Sequence, residues 1–152
     1  MDIKISTTSR EDWLNKAALL ILEERIAPLT DLVKTRDIRI SIAPMAQKTL
    51  GCCYPASRSD DGSNAVFISA GCNDSLTILG TLAHELIHAL DDCASKHGTP
   101  FKRWATQIGL EGKMTATTIG AELAEIFAEY IVMLGDIPHA ALSHKAKDKG
   151  RN

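Results

Sequence analysis

One stretch restricts the fold more than any other: Thr81-Leu82-Ala83-His84-Glu85-Leu86-Ile87-His88-Ala89-Leu90. Two histidines four residues apart on a helix stand one turn above each other, so both rings can reach one ion. The glutamate beside the first is turned about 100° around the axis, where it can touch water at that ion without displacing it. The same pattern arises by chance on amphipathic helices, with both histidines merely hydrogen-bonded. Here the surroundings favour a metal. Ile78, Leu79, Leu82, Leu86, Ile87 and Leu90 leave only a narrow polar strip through Thr81, His84, His88 and Asp91. An imidazole buried there needs partners for both nitrogens. One ion serves both rings at once, and with Glu85 beside it the local geometry is that of a zinc-dependent hydrolase.

Two histidines seldom complete a zinc site, which calls for a third protein ligand and one position open to water. His97 is the best-placed candidate. On an unbroken helix it would lie roughly 20 Å along the axis from His84. The spacing therefore predicts a helix that begins near Asn73 or Asp74, stops around Asp91 to Cys93, and leads into a loop carrying His97 back to the ion. Asp91 and Asp92 suit such an end, because acidic residues there oppose the helix dipole. Either one is expected as an acceptor for a histidine ring or as a simple solvated charge. A rival third ligand is the stripe Glu122, Glu125 and Glu129, which otherwise reads as a solvated helix face.

The flanking chain supplies the support. Ser9 and Asp12 mark a helix start, with Trp13, Leu14, Ala17, Leu20 and Ile21 at helical spacing until Pro28. A further turn through Leu29, Leu32 and Val33 is expected. Ile38 to Ile42 alternates as a half-buried strand does. A second strand is expected over Leu50 to Tyr54, then a polar hairpin loop, then a third strand over Ala65 to Ser69. Thr99 as cap and Pro100 in the first turn predict a helix to about Ile108. Gly109 to Met114 reads as a turn-rich connection. A last helix should run from about Ile119 to Leu134, with Leu123, Phe127, Tyr130, Ile131 and Leu134 inward, closed by Gly135 and Pro138. The fold class expected is α+β: a small antiparallel sheet of about three strands packed on the metal helix, with an N-terminal helix and two further helices.

With 152 residues, 45% of them hydrophobic, the chain can build one compact core. A net charge of -2 gives no general attraction to nucleic acid or anionic membrane. Met1 to Ser6 lacks the apolar run of a signal peptide, and no stretch is long enough to span a bilayer, so a cytoplasmic location is expected. Cys52, Cys53, Cys72 and Cys93 contain no CxxC pair, and adjacent Cys52 and Cys53 are poor mutual partners. Free, buried thiols in a reducing compartment are the expectation. His139 and His144 read as surface residues, and residues 143–152, with Lys145, Lys147, Lys149 and Arg151, as a basic, flexible tail.

From Ile38 to about Leu142 the chain resembles the SprT-like zinc metalloprotease family, which includes the Spartan-related proteases of DNA–protein crosslinks, and is closest to its short bacterial and phage members. The pieces that carry the resemblance are Arg39-Ile40-Ser41-Ile42, Asp61-Gly62 with Val66 to Ser69, His84 to Ala89, His97-Gly98-Thr99-Pro100-Phe101-Lys102, and Gly109 to Thr117. HExxH alone occurs in many families; joined to a downstream HGxxF it is far more specific. The resemblance implies a zincin-type helix, a single peptidase domain over 1–142, His84, His88 and His97 as Zn2+ ligands, and Glu85 as the catalytic carboxylate.

On that reading the chain is a peptidase that cleaves protein or peptide with metal-activated water and Glu85 as general base. The strand from Val66 to Ser69 is expected to offer an edge on which an extended substrate could lie. Action on DNA-associated proteins is implied by the family. Lys102, Arg103, Lys113 and the tail are all the sequence offers toward DNA, and scattered surface charges match them equally. The alternative from a different class is a catalytically silent, zinc-stabilised module that binds protein or nucleic acid. Such a site has no use for Glu85.

Overall fold

A computed structural model describes residues 2–30 and 36–146 of the chain. Helix α1 (Arg10–Ile21) starts where Ser9 Oγ accepts from the Asp12 amide at 3.0 Å. It buries Trp13, Leu14, Ala17, Ala18 and Ile21 and runs on through one π-helical turn, Leu22–Ile26. Of the further turn expected next, Leu29 is exposed, while Leu32 and Val33 lie outside the described residues.

Strands β1 (Ile38–Ala43), β2 (Gly51–Tyr54) and β3 (Asn64–Ser69) form one sheet in the order β1-β3-β2. The sheet is mixed, not antiparallel as the sequence suggested: β2 pairs antiparallel with β3, but β1 pairs with it in parallel, Ile40 opposite Val66. Alternation of side chains reports which face is buried and carries no information on direction. Direction follows from the connection. Residues 44–63 are enough chain to lay down β2 on the far side and return β3 between the two. The central place goes to the strand with the best core face, on which Val66 and Ile68 are 0% and 1% exposed. The strand expected to present a free edge, Val66 to Ser69, is therefore covered on both sides. The edge is β2.

Helix α2 (Ser75–Leu90) is capped by Asp74, whose Oδ2 accepts from the Thr77 amide at 2.9 Å. It is buried on nearly every side, in contact with β2, β3, α1 and α4. Its last carbonyls are met by Arg36, which donates through Nη2 to Ala89 O and, at 3.0 Å, to Leu90 O. A cation at this end also suits the helix dipole. Helix α3 (Thr99–Ile108) begins one residue earlier than Thr99 as a cap would allow: Gly98 takes the cap position, without a side-chain bond, and Pro100 sits in the first turn.

The stretch expected as a turn-rich connection is a hairpin, β4 (Leu110–Lys113) with β5 (Ala116–Ile119), antiparallel and separate from the larger sheet. Its strands are short and mostly exposed, so they show no apolar alternation. Ile119 lies over Gly80 of α2. Because Ile119 belongs to β5, the last helix, α4 (Ala121–Leu134), starts two residues later than its pattern suggested. Leu123, Phe127 and Tyr130 are buried on it, with Ile131 and Leu134 packed alongside. The described chain is thus α+β, with four α-helices, a mixed three-stranded sheet and a two-stranded one. One cluster of buried side chains joins the helices and the larger sheet.

His139 and His144 are exposed, and His139 Nε2 bonds to Thr8 O at 2.9 Å. Of the expected tail, residues 143–146 are irregular and exposed; Lys147, Lys149 and Arg151 lie outside the described residues. Among the described residues no helix is long and apolar enough to cross a membrane.

Gly109 joins α3 to β4 at φ +107°, a left-handed backbone, and a Cβ there would sit 2.9 Å from Leu123 Cβ. Gly109→Ala should therefore cost about 1–2 kcal/mol through the backbone alone, lowering the thermal midpoint by on the order of 5 °C. Circular dichroism melts check this. An unchanged midpoint would refute the strain at this turn.

Candidate metal centre

The sequence required α2 to stop shortly after His88, and it stops at Leu90. What stops it is a run of tight turns. Asp92, Cys93 and Lys96 all take left-handed backbone, at φ 57°, 64° and 51°. Aspartate tolerates that conformation; for Cys93 and Lys96 it costs on the order of 1 kcal/mol each. Two carboxylates hold the reversal. Asp91 Oδ2 accepts from the Ser95 amide at 3.1 Å, and Asp92 Oδ1 accepts from Ala56 N and Asn64 Nδ2, both at 2.7 Å. The chain so folded back delivers His97 to the helix face that carries the other two rings.

His97 Nε2 lies 3.1 Å from His88 Nε2 and 3.3 Å from His84 Nε2, and one nitrogen from each ring falls within 4.8 Å of the others. Nitrogens that share one tetrahedral ion at about 2.0–2.1 Å are about 3.3–3.4 Å apart. The two separations to His97 are close to those a small cation imposes, and all three ring nitrogens converge within 4.8 Å. Among themselves they make a poor hydrogen-bonded set, because neutral imidazoles facing one another by their lone pairs lack donors. The donor set therefore fits a metal ion. The described glutamates of α4, Glu122, Glu125 and Glu129, are exposed and form no part of the cluster.

Burial holds two of these rings, His84 and His88, in the neutral state that ligation needs. His84 is only 9% exposed, and burial, reinforced by His88 and His97, pushes its pKa down to about 4. His88 is likewise held at about 4, first by burial and then by His97, with Asp91 pulling the other way. Phe101, fully buried, is the floor beneath all three: its ring centroid lies 4.8, 4.4 and 5.2 Å from those of His84, His88 and His97, and it stacks on His88.

The orienting partner is not the one the sequence suggested. Neither Asp91 nor Asp92 bonds to a histidine ring; both hold the reversal instead, and Asp91 Oδ1 is buried without a partner. His84 Nδ1 lies instead 2.8 Å from Thr117 Oγ1, on β5. With Nε2 turned to the other rings, Nδ1–H donates to that hydroxyl, which fixes the tautomer and the ring plane. Thr117 and Phe101 were both inside stretches that carry the family resemblance, but nothing in their spacing gave them a task. A hairpin had to be seen before a threonine on it could be placed.

Glu85 is 6% exposed and makes no hydrogen bond among the described residues. Burial raises its pKa to about 7. It shares with His84 the base of two adjoining hollows. One, of about 280 Å³, lies between Thr49 to Gly51 and Thr115 to Thr117; the other, of about 410 Å³, extends past His88 and His97 to Cys53 and Cys93. Together they make a trough with the β2 edge on one wall and the β4–β5 turn on the other. The approach of β2 is close. A Cβ on Gly51 would meet Thr81 Cγ2 at 2.8 Å and Glu85 Cγ at 3.2 Å.

No known protein family, curated protein or solved structure matches the chain. The assignment of a candidate metal-binding triad to His84, His88 and His97 rests on its own geometry.

Thr117→Val keeps the shape of the side chain and removes the acceptor for His84 Nδ1. It should weaken Zn2+ binding by about 10–100-fold, the usual effect of losing such an orienting group, while Thr117→Ser retains affinity near wild type. Competition with a chromophoric chelator measures both. Equal affinity of the valine variant would remove Thr117 from the site.

Proposed function

We propose that this chain is a zinc-dependent peptidase of the SprT-like, zincin type. The observation that carries the reading is the convergence of three imidazoles beside a buried carboxyl that no protein group occupies, at the base of a trough walled by a free strand edge. His84, His88 and His97 would hold the ion, and neutral nitrogen donors in a tetrahedral arrangement suit Zn2+. A bound ion there would activate water and polarise a carbonyl.

The remaining work falls to the chain. Glu85 lines both hollows and has no competing hydrogen bond among the described residues, so its carboxyl is free to take a proton from water and return it to a leaving amine. A carboxyl raised to about 7 by burial is poised for both directions near neutral pH, and a neighbouring cation would shift it back toward the carboxylate that accepts. The outer edge of β2, which pairs with no strand among the described residues, can hold an extended peptide as an added strand. Gly51, on that edge and tight against Glu85, lets the backbone come close to the carboxyl. The substrate class proposed is therefore extended polypeptide. Lys102, Arg103 and Lys113 are exposed on two separate elements, α3 and β4, and favour no second reading.

Two variants test the proposal on protein reconstituted with Zn2+. Glu85→Gln should keep one zinc per chain and cleave an unstructured protein at least ~100-fold more slowly, the scale of a lost general base. His97→Ala should lose both metal and cleavage. Cleavage by Glu85→Gln at the wild-type rate would rule out the mechanism. Wild-type protein that binds zinc and cleaves nothing would identify the silent binding module instead.

A further inference from the structure

The fold brings together two of the four cysteines from opposite walls of the same hollow. Cys53 on β2 and Cys93 in the reversal after α2 have their Sγ atoms 3.5 Å apart, within reach of a thiol hydrogen bond. That is sulfur in van der Waals contact, about 1.5 Å longer than a disulfide. Both side chains are half-buried and line the 410 Å³ hollow that also contains the three histidines, so a small solute entering the trough can reach them. The two segments are already aligned by the Asp92 bond to Ala56 N, which leaves little main-chain movement to make.

Cys93 also holds a backbone conformation, φ 64°, that glycine or asparagine would adopt with less strain. What a cysteine adds at that position is a sulfur against Cys53. The other two thiols have no such partner among the described residues: Cys52, next along the strand, borders the same hollow without a sulfur contact, and Cys72 lies beyond β3, where its carbonyl accepts from Arg10.

We propose that Cys53 and Cys93 are a redox-modification site, a reversible dithiol–disulfide pair that fastens the loop bearing His97 to the edge strand β2. The oxidant is a hydroperoxide, taken here as hydrogen peroxide. One sulfur of the pair attacks a peroxide oxygen; the O–O bond breaks, water leaves, and that cysteine becomes a sulfenic acid. The second sulfur then attacks the first. The S–S bond forms, the S–O bond breaks, and the hydroxide leaves as water with the second thiol's proton. The two sulfurs together lose two electrons and the peroxide gains them. A dithiol reductant reverses the step.

The covalent fastening bears on the metal because Cys93 stands four residues before His97. In the disulfide form the loop cannot swing away from His84 and His88, so a bound ion escapes more slowly. That consequence rests on the zinc reading; the disulfide itself does not.

Protein reconstituted with one equivalent of Zn2+ is treated with excess hydrogen peroxide and mapped by mass spectrometry under non-reducing conditions. The expected result is the loss of two hydrogens, a peptide linking Cys53 to Cys93, a fall from four free thiols to two, and full reversal by dithiothreitol. Cys53→Ser and Cys93→Ser should each abolish the link, and Cys72→Ser should leave it intact. Transfer of zinc to a chelator should be severalfold slower from the oxidised protein. Oxygen added to Cys93 without a link, or a link that uses Cys52 or Cys72, overturns the proposal. Zinc leaving both forms at one rate overturns the fastening. Reduced protein that takes up no zinc counts against the peptidase reading alone, since the link is read by mass.

Discussion

The site depends on where one helix ends. Had α2 continued past Leu90, its two histidines would have had nothing to meet, because a ring nine residues further on would have been carried away along the axis. The chain instead turns through left-handed residues that, apart from Asp92, pay no regard to side-chain preference, and it is held there by carboxylates that accept from the backbone amides of Ser95 and Ala56 and from the side-chain amide of Asn64. Arg36 closes the same end by satisfying the carbonyls that the broken helix leaves over. A strained turn of this kind persists only where its surroundings leave no alternative, and here the surroundings include the sheet, through Asn64 and Ala56.

Packing then decides the chemistry of the three rings. Phe101 occupies the place where water would otherwise enter beneath them, and burial keeps His84 and His88 from carrying a proton at neutral pH. Repulsion between imidazolium ions would force such a cluster apart. Neutral rings can stay close, with their lone pairs directed inward. The same burial acts on Glu85 with the opposite sign, since what it disfavours is charge of either kind. One apolar setting thus produces basic nitrogens without protons and a carboxyl reluctant to lose its own.

Much of this could be read from the residues themselves. The two-histidine helix, its start near Asn73 or Asp74, its early end and the return of His97 follow from helical spacing and from the number of ligands a metal requires. The α-helices were visible through caps and apolar periodicity, with ends shifted by a residue or two at Thr99 and Ile119. Strand direction was not legible, because Ile38 to Ile42 looks the same whichever way its neighbour runs. The hairpin at Leu110 to Ile119 was hidden for a different reason: only Leu110 is buried on it, and its identity comes from hydrogen bonds that no side-chain pattern records. Thr117 was lost with it. The nearness of Cys53 to Cys93 depends on both the sheet order and the left-handed turns, so it lay beyond any reading of the cysteines by spacing.

The parallel partnership of β1 with β3 has a bearing on how the molecule assembles. Those strands can meet only after the chain between them has been gathered up, which makes β1 a long-range arrival, whereas β2 and β3 are joined through a shorter loop. Every ring of the triad, its aromatic floor and its orienting hydroxyl come from residues 84–117, one uninterrupted span that contains no part of the larger sheet. The donors can accordingly gather around the α2–α3 corner once the segment joining β2 to β3 supplies Ala56 and Asn64 to Asp92, without waiting for the first strand to dock.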